Sequence, residues 1–173
     1  FDTFEVPVRY GFGYGLSYTD FEITGCALKA VSAEKIRVTA TVRNTGNVSG
    51  KEVVQVYASL PGGILEKEAH RLAAYAKTNE LKPGEAQEVT MEVKMDGLTS
   101  YDEKRAAWIL ESGFYGIWVG NSLASAKLCG GIKLDQEVIR RQVRNLFPLK
   151  QELEEISQEA SKTAKRAAAA AQQ

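Results

Sequence analysis

The chain is 173 residues long and 44% hydrophobic, an ordinary globular composition with enough apolar material for one good core. Its 22 Lys and Arg cancel 22 Asp and Glu, so charge argues against nucleic acid or an anionic membrane as partner. No apolar run approaches the roughly 20 residues of a membrane span; no signal segment opens the chain either, but Phe1 is no natural start, so the compartment is left open with the cytoplasm as default.

Arg9 to Ile23 reads RYGFGYGLSYTDFEI. Gly11, Gly13 and Gly15 allow the backbone to turn sharply and lie close to another surface. Phe12 and Tyr14, set between them, offer large contact areas with few rotatable bonds. These five residues therefore read as a hinge-and-anchor segment feeding the first strand, candidates for docking against another surface. A phosphate-cradling loop is a poor fit, because position 16 is Leu and a strand pattern follows where a helix is required. Tyr18 is expected within the first strand and largely buried.

Thr19 to Leu28 reads as that first strand. In IRVTATVRNTG, Ile36, Val38, Ala40 and Val42 alternate with Arg37, Thr39, Thr41 and Arg43, the period of a strand with one dry face. Asn44 to Gly50 is a turn cluster. Lys51 to Ser59 places Val54, Val56 and Ala58 opposite Val53, Gln55 and Tyr57, and Pro61-Gly62-Gly63 ends it. After a charged connector, Ile64 to Arg71, come a mixed apolar stretch to Leu81, a Lys82-Pro83-Gly84-Glu85 turn, and the alternation Val89, Met91, Val93, Met95. Trp108-Ile109-Leu110, the string GFYGIWVGN and Lys127 to Leu134 follow, for about seven short strands between Gly, Pro and Asn turns. This spacing predicts an all-β, immunoglobulin-like sandwich. Cys26 falls in the first strand pattern and Cys129 in the last; they could meet in space, but two free buried thiols is the plainer expectation.

Beyond Leu134 the period changes. Asp135-Gln136-Glu137 reads as the cap of a helix sharing Ile139, Val143, Leu146 and Phe147 on one face. Leu149 to Gln173 reads as a second helix, its acids early and its bases late. The division read from the pattern is a junction over 1–18, a sandwich over 19–134 and a helical tail or linker over 135–173.

FGYGLSYTDFE (Phe12 to Glu22), VRNTGNVSGKEVVQVYAS, the Leu81 to Glu85 turn and GFYGIWVGN stand in one order. They resemble the fibronectin type III-like domain of glycoside hydrolase family 3, the β-glucosidase-like enzymes, and the junction from the α/β sandwich domain that precedes it there. Phe1-Asp2 and Val6-Pro7-Val8 resemble the end of that preceding domain. The resemblance implies a non-catalytic accessory domain that stabilises or positions the catalytic barrel and the α/β sandwich domain, with a β-glycoside as substrate only in the intact enzyme. The other class to weigh is a freestanding carbohydrate-binding or adhesive sandwich.

No catalytic residue transfers. A retaining glycosidase needs two carboxyl groups roughly 5 Å apart, and the family's nucleophile lies in a motif ending Asp-Trp. Here Trp108 follows Ala107 and Trp118 follows Ile117. His70, the single histidine, does not match the family's Lys-His pair and alone makes no metal site. Glu66 and Glu68 read as loop solvation and Asp102-Glu103 as the flank of a turn. Asn47-Val48-Ser49 matches a glycosylation sequon. Trp108, Trp118 and Tyr57 are the candidates for a sugar-stacking face, against core packing as the alternative. No cofactor and no metal is expected.

Overall fold

The computed structural model describes residues 5–147. Its strands are β1 (Phe21–Ser32), β2 (Lys35–Asn44), β3 (Val53–Ser59), β4 (Arg71–Lys77), β5 (Ala86–Lys94), β6 (Ser100–Asp102), β7 (Ala107–Leu110), β8 (Gly113–Gly120), β9 (Lys127–Leu134) and β10 (Val138–Gln142). β1-β2-β5 form one sheet and β4-β3-β8-β9 a second, with every neighbouring pair antiparallel. These seven strands are the sandwich that the alternation predicts. A third small sheet, β10-β7-β6, adds to it.

Side chains at every second position make the core. From the first sheet come Val38, Ala40, Val42 and Val93; from the second come Val54, Val56, Ala58, Tyr115 and Ile117; all are fully buried in one cluster. Burying one such aliphatic side chain stabilises by about 1.5–3 kcal/mol, so the two inner faces dominate the energetics. Tyr115 also anchors the β7–β8 turn, its phenol donating 2.9 Å to the Glu111 carbonyl four residues back, the arrangement known as a tyrosine corner.

Asn44, at the end of β2, is the polar hub. Its Oδ1 accepts from the Thr19 hydroxyl (2.8 Å) and from Gly46 N–H (3.0 Å), while its Nδ2 donates to the Val48 and Leu81 carbonyls (2.8 Å each). The side chain is fully buried and fully satisfied. It thereby ties the approach to β1, the Asn44 to Gly50 turn and the Leu81 to Glu85 turn into one corner.

Four sequence expectations are corrected. β1 begins at Phe21 and Tyr18 lies outside it, wholly exposed; Thr19 takes the inward position on Asn44, which turns its neighbour out. The cysteines are not free: Cys26 and Cys129 form a disulfide, with Cα atoms 5.8 Å apart. They meet because β1 and β9 are edge strands of opposite sheets. The helix expected after Asp135 is instead β10, where β-branched Val138 and Ile139 pair with the free edge of β7. Finally, Tyr57 points away from the core and is still buried, for a reason given below. The second tail helix and Phe1-Asp2 lie outside the described residues.

Candidate functional site

The segment leading into β1 lies across the outer face of the second sheet. Gln55 Nε2 donates to the Gly13 carbonyl (3.0 Å) and to that of Asn121 (2.7 Å). Leu123 N–H donates to the Phe12 carbonyl at 3.0 Å. Tyr14 N–H closes a turn on the Gly11 carbonyl at 3.1 Å. Gly13 has φ +77°, and a Cβ there would run into Gln55 and the Tyr57 phenol. Of the three alternating glycines it is the one that contact requires, since Gly11 and Gly15 have open space around them.

Tyr57 is covered by this segment, its ring edge-on to Phe12 with centroids 6.2 Å apart. That cover explains why an outward-facing tyrosine is 1% exposed and why burial pushes its phenol up from the ordinary range. On the other side of the segment, alternate residues stay open to solvent. Tyr10, Phe12 and Tyr14 are 51–61% exposed, Leu16 89% and Tyr18 fully. The segment is thus anchored by its backbone on one side and presents a row of large apolar side chains to solvent on the other. Leu16 and Tyr18 extend that row beyond the docking residues the sequence suggested; their period-two spacing with Phe12 and Tyr14 was the available signal.

The three aromatics considered for a sugar-stacking face are not brought together. Tyr57 is buried. Trp118 pairs with it in register on β8, its indole donating 3.0 Å to Ser59 Oγ and standing edge-on to His70 at 5.5 Å. Trp108 is on the third sheet, 41% exposed, with Tyr101 beside it at 5.3 Å. Strand alternation sent each outward, Tyr57 and Trp118 on the second sheet and Trp108 on the third.

The carboxylates have structural partners. Lys67 and Glu111 form a buried ion pair that closes the loop after β3, where Lys67 Nζ also donates to the Pro61 and Leu65 carbonyls (3.2 and 3.1 Å) and Glu111 accepts from Ile64 N–H at 2.7 Å. Nothing in the sequence spacing pairs residues 44 positions apart. Arg71 holds the Glu68 carboxyl below its usual range, mainly through their hydrogen bond, and donates to the Gly97 and Thr99 carbonyls. Arg105 does the same to Asp102, fixing the turn between β6 and β7. Glu66 and Glu103 are exposed. Among the described residues no group of three potential ligands could hold a metal ion.

Comparison with known proteins follows this geometry. The fibronectin type III-like domain matches residues 52–123. A β-glucosidase of Ruminococcus albus is 41% identical over 156 residues, covering 86% of this chain and 16% of that protein. An exo-α-(1→6)-L-arabinopyranosidase of Bifidobacterium longum is 40% identical over 122 residues, 70% of this chain and 16% of that protein. Among solved structures, β-glucosidase 3B of Thermotoga neapolitana, in complex with α-D-glucose, superposes with a TM-score of 0.73 at 40% identity, over 79% of this chain and 19% of that one. The chain thus spans about a sixth to a fifth of the length of these relatives.

Proposed function

The chain belongs to the fibronectin type III-like domains found in glycoside hydrolase family 3 β-glucosidases, and we propose from this that it serves as a non-catalytic accessory domain, stabilising or positioning the catalytic domains of an enzyme that hydrolyses O-glycosyl bonds. The carrying observation is the form of the match, which runs over most of this chain while spanning a sixth of a β-glucosidase. The partners in this reading are the catalytic barrel and the α/β sandwich domain of the same enzyme, and the β-glycoside belongs to them. Relatives named for glucosides and for an arabinopyranoside share this domain, which supports placing sugar choice elsewhere.

Docking runs through the lead-in segment. Gly11, Gly13 and Gly15 shape it, Gly13 seats it on β3, and Phe12 and Tyr14 present their rings to the neighbouring domain, with Leu16 and Tyr18 continuing the row. In domain terms, 1–18 is the junction, 19–134 the sandwich and 135–173 a tail or linker, with β10 folded back on β7 at its start. The test is an assay of the pure chain on an aryl β-glucoside beside deletion of this domain from the longer gene product. No turnover by the chain, with loss of stability or activity on deletion, is the expected pair of results. Turnover that disappears when one of the chain's own carboxylates is removed would overturn the reading.

A further inference from the structure

The third sheet carries a groove that the accessory role does not use. Thr99, Asp96, Trp108, Arg140 and Arg141 line a space of about 270 Å³ between the turn Met95–Leu98 and β10. Tyr101, Trp108 and Arg141 are register partners across β6, β7 and β10, so they project from one face. The Tyr101 ring, tilted at 46°, braces the indole. A bulge between Ile139 and Arg141 inserts Arg140 as an extra residue, which lets two consecutive arginines flank the same groove. Arg140 is held in place: its guanidinium donates to Asp96 Oδ1 at 2.7 Å and lies 3.6 Å from Glu34. The Arg141 side chain is exposed, and its guanidinium makes no hydrogen bond or ion pair with the described residues.

The chemistry is that of a polyol with an apolar face. Asp96 and Glu34 against Arg140 and Arg141 leave no surplus charge, so an anion gains nothing by entering. A wholly apolar ligand would strand the carboxylate and guanidinium groups. A sugar ring presents C–H bonds to an indole, and each of its hydroxyls both donates and accepts. We propose that this groove is a carbohydrate-binding site for one neutral pyranose unit of a glycan, with Trp108 as stacking face and Arg141 and Asp96 as hydroxyl partners. It goes beyond the accessory role and does not rest on it.

The experiment is an NMR titration of the full 173-residue chain with cellotetraose, laminaritetraose and xylotetraose, following the Trp108 indole N–H together with the backbone amides of Thr99, Tyr101 and Arg141. A saturable shift with a Kd of about 0.1–5 mM is expected for at least one probe. It should be abolished in Trp108→Ala, weakened about three- to tenfold in Arg141→Ala and unchanged in Trp118→Phe. Arg141 is exposed, so Arg141→Ala should melt as the parent does; Trp108→Ala gives up the Tyr101 contact and should melt somewhat lower while staying folded at the titration temperature. No saturable Trp108 shift up to about 20 mM of any probe, or binding retained by Trp108→Ala, would overturn the proposal. Since no catalytic domain is present, binding without any effect of deletion on a hydrolase would refute the accessory role alone.

Discussion

At the scale of single residues, the two groups that matter most are polar and buried. Asn44→Ala would leave the Val48 carbonyl and the Thr19 hydroxyl without a partner, and would remove one of the two partners of the Leu81 carbonyl and of the Gly46 N–H. Each buried group stranded in this way costs about 1–3 kcal/mol, and some will find water. A loss of about 2–4 kcal/mol in urea unfolding is therefore expected, whereas the exposed neighbour Asn47→Ala should change stability by less than about 0.5 kcal/mol. Tyr115 gives a pH signature. Burial, aided by the Glu111 charge, pushes its phenol up to about 12. The raised value means that the folded state favours the neutral form. Its contribution is complete below the unfolded pKa, near 10, and is lost as pH rises towards 12, by about 2–3 kcal/mol. Tyr57 is shifted in the same direction, so Tyr115→Phe should flatten part of the alkaline fall in a series of melts, and lose about 1 kcal/mol at neutral pH. An alkaline fall identical in Tyr115→Phe and parent would remove Tyr115 from that account.

At the scale of elements, legibility follows the solvent. β2 and β5 alternate strictly because one face is dry and the other wet, and their sequence shows it without ambiguity. The outer face of β3 does not follow this rule. Tyr57 looks outward by periodicity and is buried only because Phe12 and Gly13, more than 40 positions earlier, fold over it. β10 departs from the helix its sequence suggests for a related reason: its strand character comes from the open edge of β7, which no local pattern encodes. Sequence pattern puts Cys26 and Cys129 in the first and last strands of the sandwich, but not the bond between them, because no local pattern says that the edges of two sheets converge. The Cys26–Cys129 bond closes a sequence separation of 103 residues between those sheets. Closing so long a loop removes conformational entropy from the unfolded chain, and a native disulfide of this kind is worth about 2–4 kcal/mol. Cys26→Ser with Cys129→Ser, or reduction of the parent, should lower the melting temperature by the same amount. A double variant as stable as the oxidised parent would mean that the crosslink adds nothing to the packing of β1 on β9.

At the scale of the whole molecule, the question is where the apolar row of the lead-in segment goes. In the isolated chain Tyr18 touches solvent on all sides, and Phe12 keeps one edge on Tyr57. Tyr18→Ala should therefore change the stability of this chain by less than about 0.5 kcal/mol, and Phe12→Ala by about 1 kcal/mol, the value of one aromatic pair. In the longer protein that the accessory role requires, both rings are expected to bury against a neighbouring domain. Truncating a buried aromatic to alanine costs about 3–5 kcal/mol. The excess cost on going from chain to longer protein measures docking directly, and it should be larger for Tyr18, which has nothing to lose in isolation. Gly13→Ala provides the control. Its Cβ collides with Gln55 and Tyr57 inside this domain, so its cost should be similar in both contexts. Four pairs of melting curves, for parent, Tyr18→Ala, Phe12→Ala and Gly13→Ala, decide the matter. If the two aromatic variants lose no more in the longer protein than in the isolated chain, the exposed row is not the docking surface, and the proposed accessory role would have to run through another face.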